Sequence, residues 1–148
     1  MSNENNTPVF LGAQKATQDC KMAGIIAVIA SARADFAVQQ ANAMRDSLQN
    51  FEKEVFSATR NAESIDNQLC EAMKSSASPD TLHELSANLD SATQAIKLLN
   101  KAYEEMVKAF TAAVDESKKL TNLATEAINE YQRLFKSATE SHGANSGT

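Results

Sequence analysis

The stretch Ser75-Ser76-Ala77-Ser78-Pro79-Asp80 decides how this chain folds, because it is the one place where a long helical pattern is interrupted. Ser78 suits an N-cap, since its hydroxyl oxygen can accept from the free N–H groups of a first helical turn. Pro79 fits the first helical position, where its missing N–H would have had no partner, and Asp80 sets negative charge at the positive end of the helix dipole. Just upstream, Lys74 suits the last turn of a preceding helix. Other breakers are scarce. Gly12, Gly24, Gly143 and Gly147 lie toward the chain ends, which leaves Pro79 as the only strong breaker between Ala30 and Ser141. A sheet protein of this size would carry turn residues every ~8–12 positions. The chain is therefore expected to be all-α, with one arm from about Gly12 to Lys74, a turn at 75–79, and a second arm from Pro79 to about Glu140. The polar segments 1–11 and 141–148 are expected to be flexible tails.

Working outward from the turn, both arms keep a 3-4 apolar repeat. In the second arm the a positions 82, 89, 96, 103, 110, 117, 124 and 131 and the d positions 85, 92, 99, 106, 113, 120, 127 and 134 are apolar except for Ser117. In the first arm the a positions 20 to 69 and the d positions 23 to 72 are apolar throughout. A repeat held this long points to coiled-coil-like packing. If the arms fold back antiparallel about Ala77, facing residues have numbers that sum to about 154. Every a position of one arm then meets a d position of the other. The register pairs Leu69 with Leu85, Phe51 with Tyr103, Leu48 with Met106 and Met44 with Phe110. Toward the chain ends it pairs Ala30 with Ala124 and Ala27 with Ala127, which permits close helix approach. The turn chemistry and the heptad register are separate signals, and they give one answer: a long antiparallel helical hairpin.

Composition narrows the function. The chain has 148 residues, 43% hydrophobic and 22% charged, which excludes a wholly disordered or collagen-like protein. A net charge of −5 gives no basic face for nucleic acid and no attraction to an anionic membrane. The start, Met1 to Pro8, lacks the basic and apolar regions of a secretory signal. The longest unbroken apolar run, Met22 to Ala30, is nine residues, too short to span a bilayer, so no transmembrane segment is expected. Cys20 and Cys70 match neither a metal spacing nor a disulfide framework, consistent with a cytoplasmic location.

Catalytic chemistry finds no foothold. There is no glycine-rich phosphate loop, nucleophile elbow, H-E-x-x-H or C-x-x-C motif. His83 stands alone near the start of the second arm and reads as a solvated first-turn residue, and no carboxylate set completes a metal site around it. Cys20 lies on the seam and reads as packing. No enzyme activity, cofactor or metal is expected. The charged clusters, such as Glu52-Lys53-Glu54 and Asp115-Glu116 with Lys118-Lys119, fall mostly off the seams and read as solvated faces.

One feature exceeds what two helices need for each other. Met22, Ile25, Ile29, Ala32 and Phe36 form a second 3-4 stripe on the back of the first arm, with Ile26 and Val28 beside it. In the second arm Val107, Val114, Ile128 and Phe135 recur at e positions, with Leu123 close by. A lone hairpin would leave these side chains in water, which marks an interface. Two uses fit: self-association into a helical bundle, or adsorption to a non-protein hydrophobic surface.

The alanine-rich, glycine-poor arms, the Ser78-Pro79-Asp80-Thr81-Leu82 break and the following Leu85, Tyr103 and Phe110-Thr111 resemble the phasins, small helical proteins that coat polyhydroxyalkanoate granules in bacterial cytoplasm. The resemblance spans roughly Ala41 to Phe135. It implies a non-enzymatic coat protein on a granule surface, and it carries over no catalytic residue. The apolar stripe near Ile25 and Ile29 is not part of it. The other reading of the same features is a coiled-coil adaptor, or a secretion-associated helical protein, with a helical protein partner.

Overall fold

The computed structural model describes residues 7–145 and contains two helices, α1 (Thr7–Lys74) and α2 (Pro79–Asn145). They pack against each other as an all-α hairpin, with no strand among the described residues.

The link between them has the chemistry anticipated at Ser78-Pro79, plus one feature the residues did not announce. The Ser78 hydroxyl accepts the Thr81 backbone N–H at 3.3 Å, and the Leu82 N–H closes the first helical hydrogen bond onto the Ser78 carbonyl at 3.1 Å. At the end of α1, the Ala77 N–H reaches back to the Ala72 carbonyl at 3.0 Å and the Ser76 N–H to Met73 at 3.4 Å. This double closure is a Schellman cap, which needs a left-handed residue, usually glycine. Here Ser76 fills that place with φ of 54°. A serine Cβ crowds the carbonyl in this conformation at a cost of ~1–2 kcal/mol, which glycine avoids. Ser76→Gly is accordingly expected to stabilise the hairpin by about 0.5–1 kcal/mol after the added freedom of the unfolded chain is discounted. A raised urea midpoint with unchanged slope would show it.

Both helices run past the bounds expected of them. Residues 7–11 and 141–145, expected as tails, are helical. The remaining tail positions, 1–6 and 146–148, lie outside the described residues. The heptad explains the extension. Ala13, Ala16 and Ala138 continue the a and d positions by one more repeat, and all three are half-buried. Pro8 falls in the first turn, where a proline costs the helix no hydrogen bond.

Every a and d position named above is buried or half-buried, and none is exposed. The chain divides into two compact units, residues 41–112 and residues 1–40 with 113–148.

The unit formed by residues 41–112 holds the turn and has large side chains in its seam. Leu48 is its deepest large residue, at 8% exposure. Phe51 and Tyr103 stack with ring centroids 6.4 Å apart and planes 13° from parallel, as the register requires. The Tyr103 hydroxyl donates to Glu52 Oε1 at 2.5 Å, and this carboxylate partner raises the phenol pKa above its ordinary value. The exposed Phe56 ring is roofed by the Arg60 guanidinium at 4.5 Å.

The unit formed by residues 1–40 and 113–148 has a different seam. On α1 its members are Ala13, Ala16, Cys20, Ala23, Ala27, Ala30, Ala34 and Ala37, all small. Small residues let two helix backbones approach closely but remove little apolar area from water. The one polar seam residue, Ser117, is buried with its hydroxyl donating to the Val114 carbonyl at 2.8 Å, so it leaves no unpaired group. Ion pairs contribute little to the fold. The three among the described residues are exposed contacts within one helix, Glu71–Lys74, Glu130–Arg133 and Lys136–Glu140.

Candidate functional site

In the unit of residues 1–40 and 113–148 the usual distribution of sizes is inverted. The α1 seam is alanine and cysteine, while the large side chains of the same segment face away from α2. Val28 is 69% exposed, Phe36 60%, Met22 58%, Ile25 55% and Ile26 53%. Ile29, Leu11 and Val38 are exposed as well. A helix in a soluble protein normally turns its large apolar residues inward, so this reversal marks a surface made for contact.

Helical geometry arranges these residues as a ridge with a groove on each side. Ile25 and Ile29 are four apart and stand on one face, with Phe36 seven residues after Ile29. On one flank Gly24, Ile25, Val28 and Ala32 of α1 meet Ile128 and Tyr131 of α2 around an open groove of about 930 Å³. Lys21 and Asp35 stand at its two ends. On the other flank Ile26, Ile29, Ala30 and Arg33 meet Leu120 and Leu123 around a smaller groove of about 170 Å³. A third hollow, near the end of α2, lies between Thr17, Cys20, Tyr131, Phe135 and His142.

Gly24 has a specific reason to sit inside a helix, where glycine costs ~1 kcal/mol relative to alanine. The Tyr131 ring lies over it, and a Cβ at this position would come within 3.1 Å of Tyr131 Cε2. That fit seats the ring against α1 and forms the floor of the larger groove. Tyr131 and Phe135 lie one turn apart on α2 with centroids at 6.1 Å, extending the apolar surface toward the third hollow.

Of the residues singled out from the sequence, Met22, Ile25, Ile26, Ile29, Phe36, Ile128 and Phe135 belong to this one unit and are exposed. Val114 is in the same unit but half-buried beside Ser117. Val107, 37% exposed, belongs to the other unit. Two contributors were not singled out, Tyr131 and Gly24. Their signal was present in the sequence, since 24 and 131 sum to 155, within one of the seam register, and a glycine in a helical interior calls for a close neighbour.

The apolar segment of α1 is also longer than its nine-residue run suggested. Averaged over 18 residues, α1 reaches a mean hydropathy of 1.4 with no more than two charged side chains, enough by length and composition to cross a membrane. The unbroken run understated it because isolated polar residues such as Ser31, Arg33 and Asp35 interrupt the run without offsetting the isoleucines.

Among the described residues no three metal-ligating side chains come together. Cys20 is a buried thiol and Cys70 an exposed one, and both are free. His83 is an exposed residue near the start of α2. No family model, curated protein or solved structure matches the chain.

Proposed function

We propose that this protein is a non-enzymatic coat protein that adsorbs to a hydrophobic surface through the outward face of α1, in the manner of a phasin on a polyhydroxyalkanoate granule. The observation that carries this reading is the size inversion: alanines fill the seam while Met22, Ile25, Ile26, Ile29 and Phe36 stand in solvent. A helix lying on an apolar phase buries such a face without needing a shaped pocket, and its opposite side stays wet. Here the opposite side is α2, which in residues 113–134 carries Asp115, Glu116, Lys118, Lys119, Glu126, Glu130 and Arg133. Those charges argue for lying on the surface rather than crossing a bilayer, because a spanning α1 with its partner attached would draw them into hydrocarbon.

The test is direct. The full chain is co-expressed with a polyester-synthesis pathway in a bacterial host, and the granules are isolated on a density gradient. The protein is expected in the granule band and resistant to a salt wash, since apolar adsorption is not screened by ions. Recovery in the soluble fraction, with the granules bare, would overturn the proposal.

A further inference from the structure

We propose that in solution the larger groove is covered by a second copy of this chain, docked antiparallel across a two-fold axis that passes near Val28. The argument starts from spacing. Lys21, Ile25, Val28, Ala32 and Asp35 recur at intervals of four, three, four and three, so they form one stripe down α1. The stripe is apolar in its middle and carries one cation at its N-terminal end and one anion at its C-terminal end. Lys21 lies seven residues before Val28 and Asp35 seven after it, each about 10 Å from the centre at ~1.5 Å per residue. Both line the same groove, and both are exposed. Neither has an ion-pair partner among the described residues.

A stripe with this pattern is its own complement. A two-fold interface places residue i against residue j and j against i. Turned antiparallel about Val28, each Lys21 meets the other copy's Asp35, and the apolar centres meet each other. The next residues outward, Thr17 and Gln39, are also equidistant from Val28 and pair polar with polar. A parallel pairing would set Lys21 on Lys21 and Asp35 on Asp35, so the charges select the antiparallel one. The need for a cover is independent of this symmetry. Among the described residues no side chain is fully buried, and Val28 at the centre of the stripe is 69% exposed. Ile26 sits about 100° or more around the helix from every residue of the stripe and Met22 about 60° from its nearest one, so pairing does not consume the whole apolar face. The dimer is read in solution with no granule present and does not rest on granule binding.

The test is a charge swap on the full chain, read by analytical ultracentrifugation at low salt. The unsubstituted protein is expected to sediment as a dimer. Lys21→Asp and Asp35→Lys should each raise the dissociation constant about tenfold or more, because each sets like charges opposite each other twice. Mixing the two variants in equal amounts should restore the dimer, since both contacts then join opposite charges. Circular dichroism keeps the hairpin in view, and both positions are exposed, so the changes leave the seam intact. As a second reading, Val28→Cys in a Cys70→Ser background should cross-link readily between chains on mild oxidation, and Ile26→Cys should not. An unsubstituted chain that stays monomeric, single variants that dimerise normally, or a mixture that fails to recover would each overturn the proposal.

Discussion

Leu48→Ala is expected to lower the unfolding free energy of the hairpin by about 2–3 kcal/mol, a large fraction of the stability a chain of this kind holds. Among the described residues, Leu48 is the only side chain larger than cysteine that the seam brings below one-tenth exposure. Its neighbours in the register, Phe51, Tyr103 and Met106, are half-buried, so they cannot close fully over the lost volume. The lower part of the usual range applies because a two-helix layer lets water reach the edge of the cavity, which a closed core would not. Urea unfolding followed by helix circular dichroism measures the effect, with the shift appearing in the midpoint and not in the slope. A change under about 0.5 kcal/mol would mean that the helices are not held by this seam. The chain would then be stabilised chiefly by contacts outside the hairpin.

The expectation rests on a register that was already readable from the residues, and the reason is physical. A 3-4 repeat with few interruptions leaves one way to bury its apolar positions, and the cap chemistry of Ser78-Pro79-Asp80 sets where the chain reverses. The stack of Phe51 on Tyr103 follows from those two facts. What escaped notice was of three kinds. The Schellman cap at Ser76 is invisible in sequence because serine rarely takes a left-handed conformation and no glycine marks the site. The helices run past their expected ends because Pro8 and the polar residues of 141–145 read as breaks, while the heptad still had one repeat to run. The ridge and grooves depend on size as well as polarity. Counting Ala34 and Leu48 alike as apolar hides that one permits close approach while the other fills space, and this difference turns the large side chains of α1 outward.

That difference also sets the second large effect. Changing Met22, Ile26 and Phe36 together to glutamine is expected to leave the hairpin folded while weakening adsorption to a polyester surface by about 10²–10³-fold. The three side chains are between 53% and 60% exposed, so the hairpin itself gains only part of their transfer free energy. The part still in water is what an apolar phase can take up, roughly 1–1.5 kcal/mol for each residue, or about 3–4 kcal/mol together. Glutamine keeps the length and helix propensity of the originals, so α1 has no local reason to fray. Phe36 stands beside the Asp35 end of the stripe, so a variant changed only at Met22 and Ile26 serves as the control, with its oligomeric state nearly unchanged. The comparison needs helicity, sedimentation in solution and binding to polyester particles on the same preparations. If binding survives the triple change, the outward face of α1 is not the adsorbing face, whatever the granules do in cells. If the protein unfolds, the exposed ridge is covered in the native assembly, and the size inversion belongs to a buried interface. Loss of binding with helicity and sedimentation intact would assign the ridge to the surface phase and leave the groove beside Val28 to the second chain.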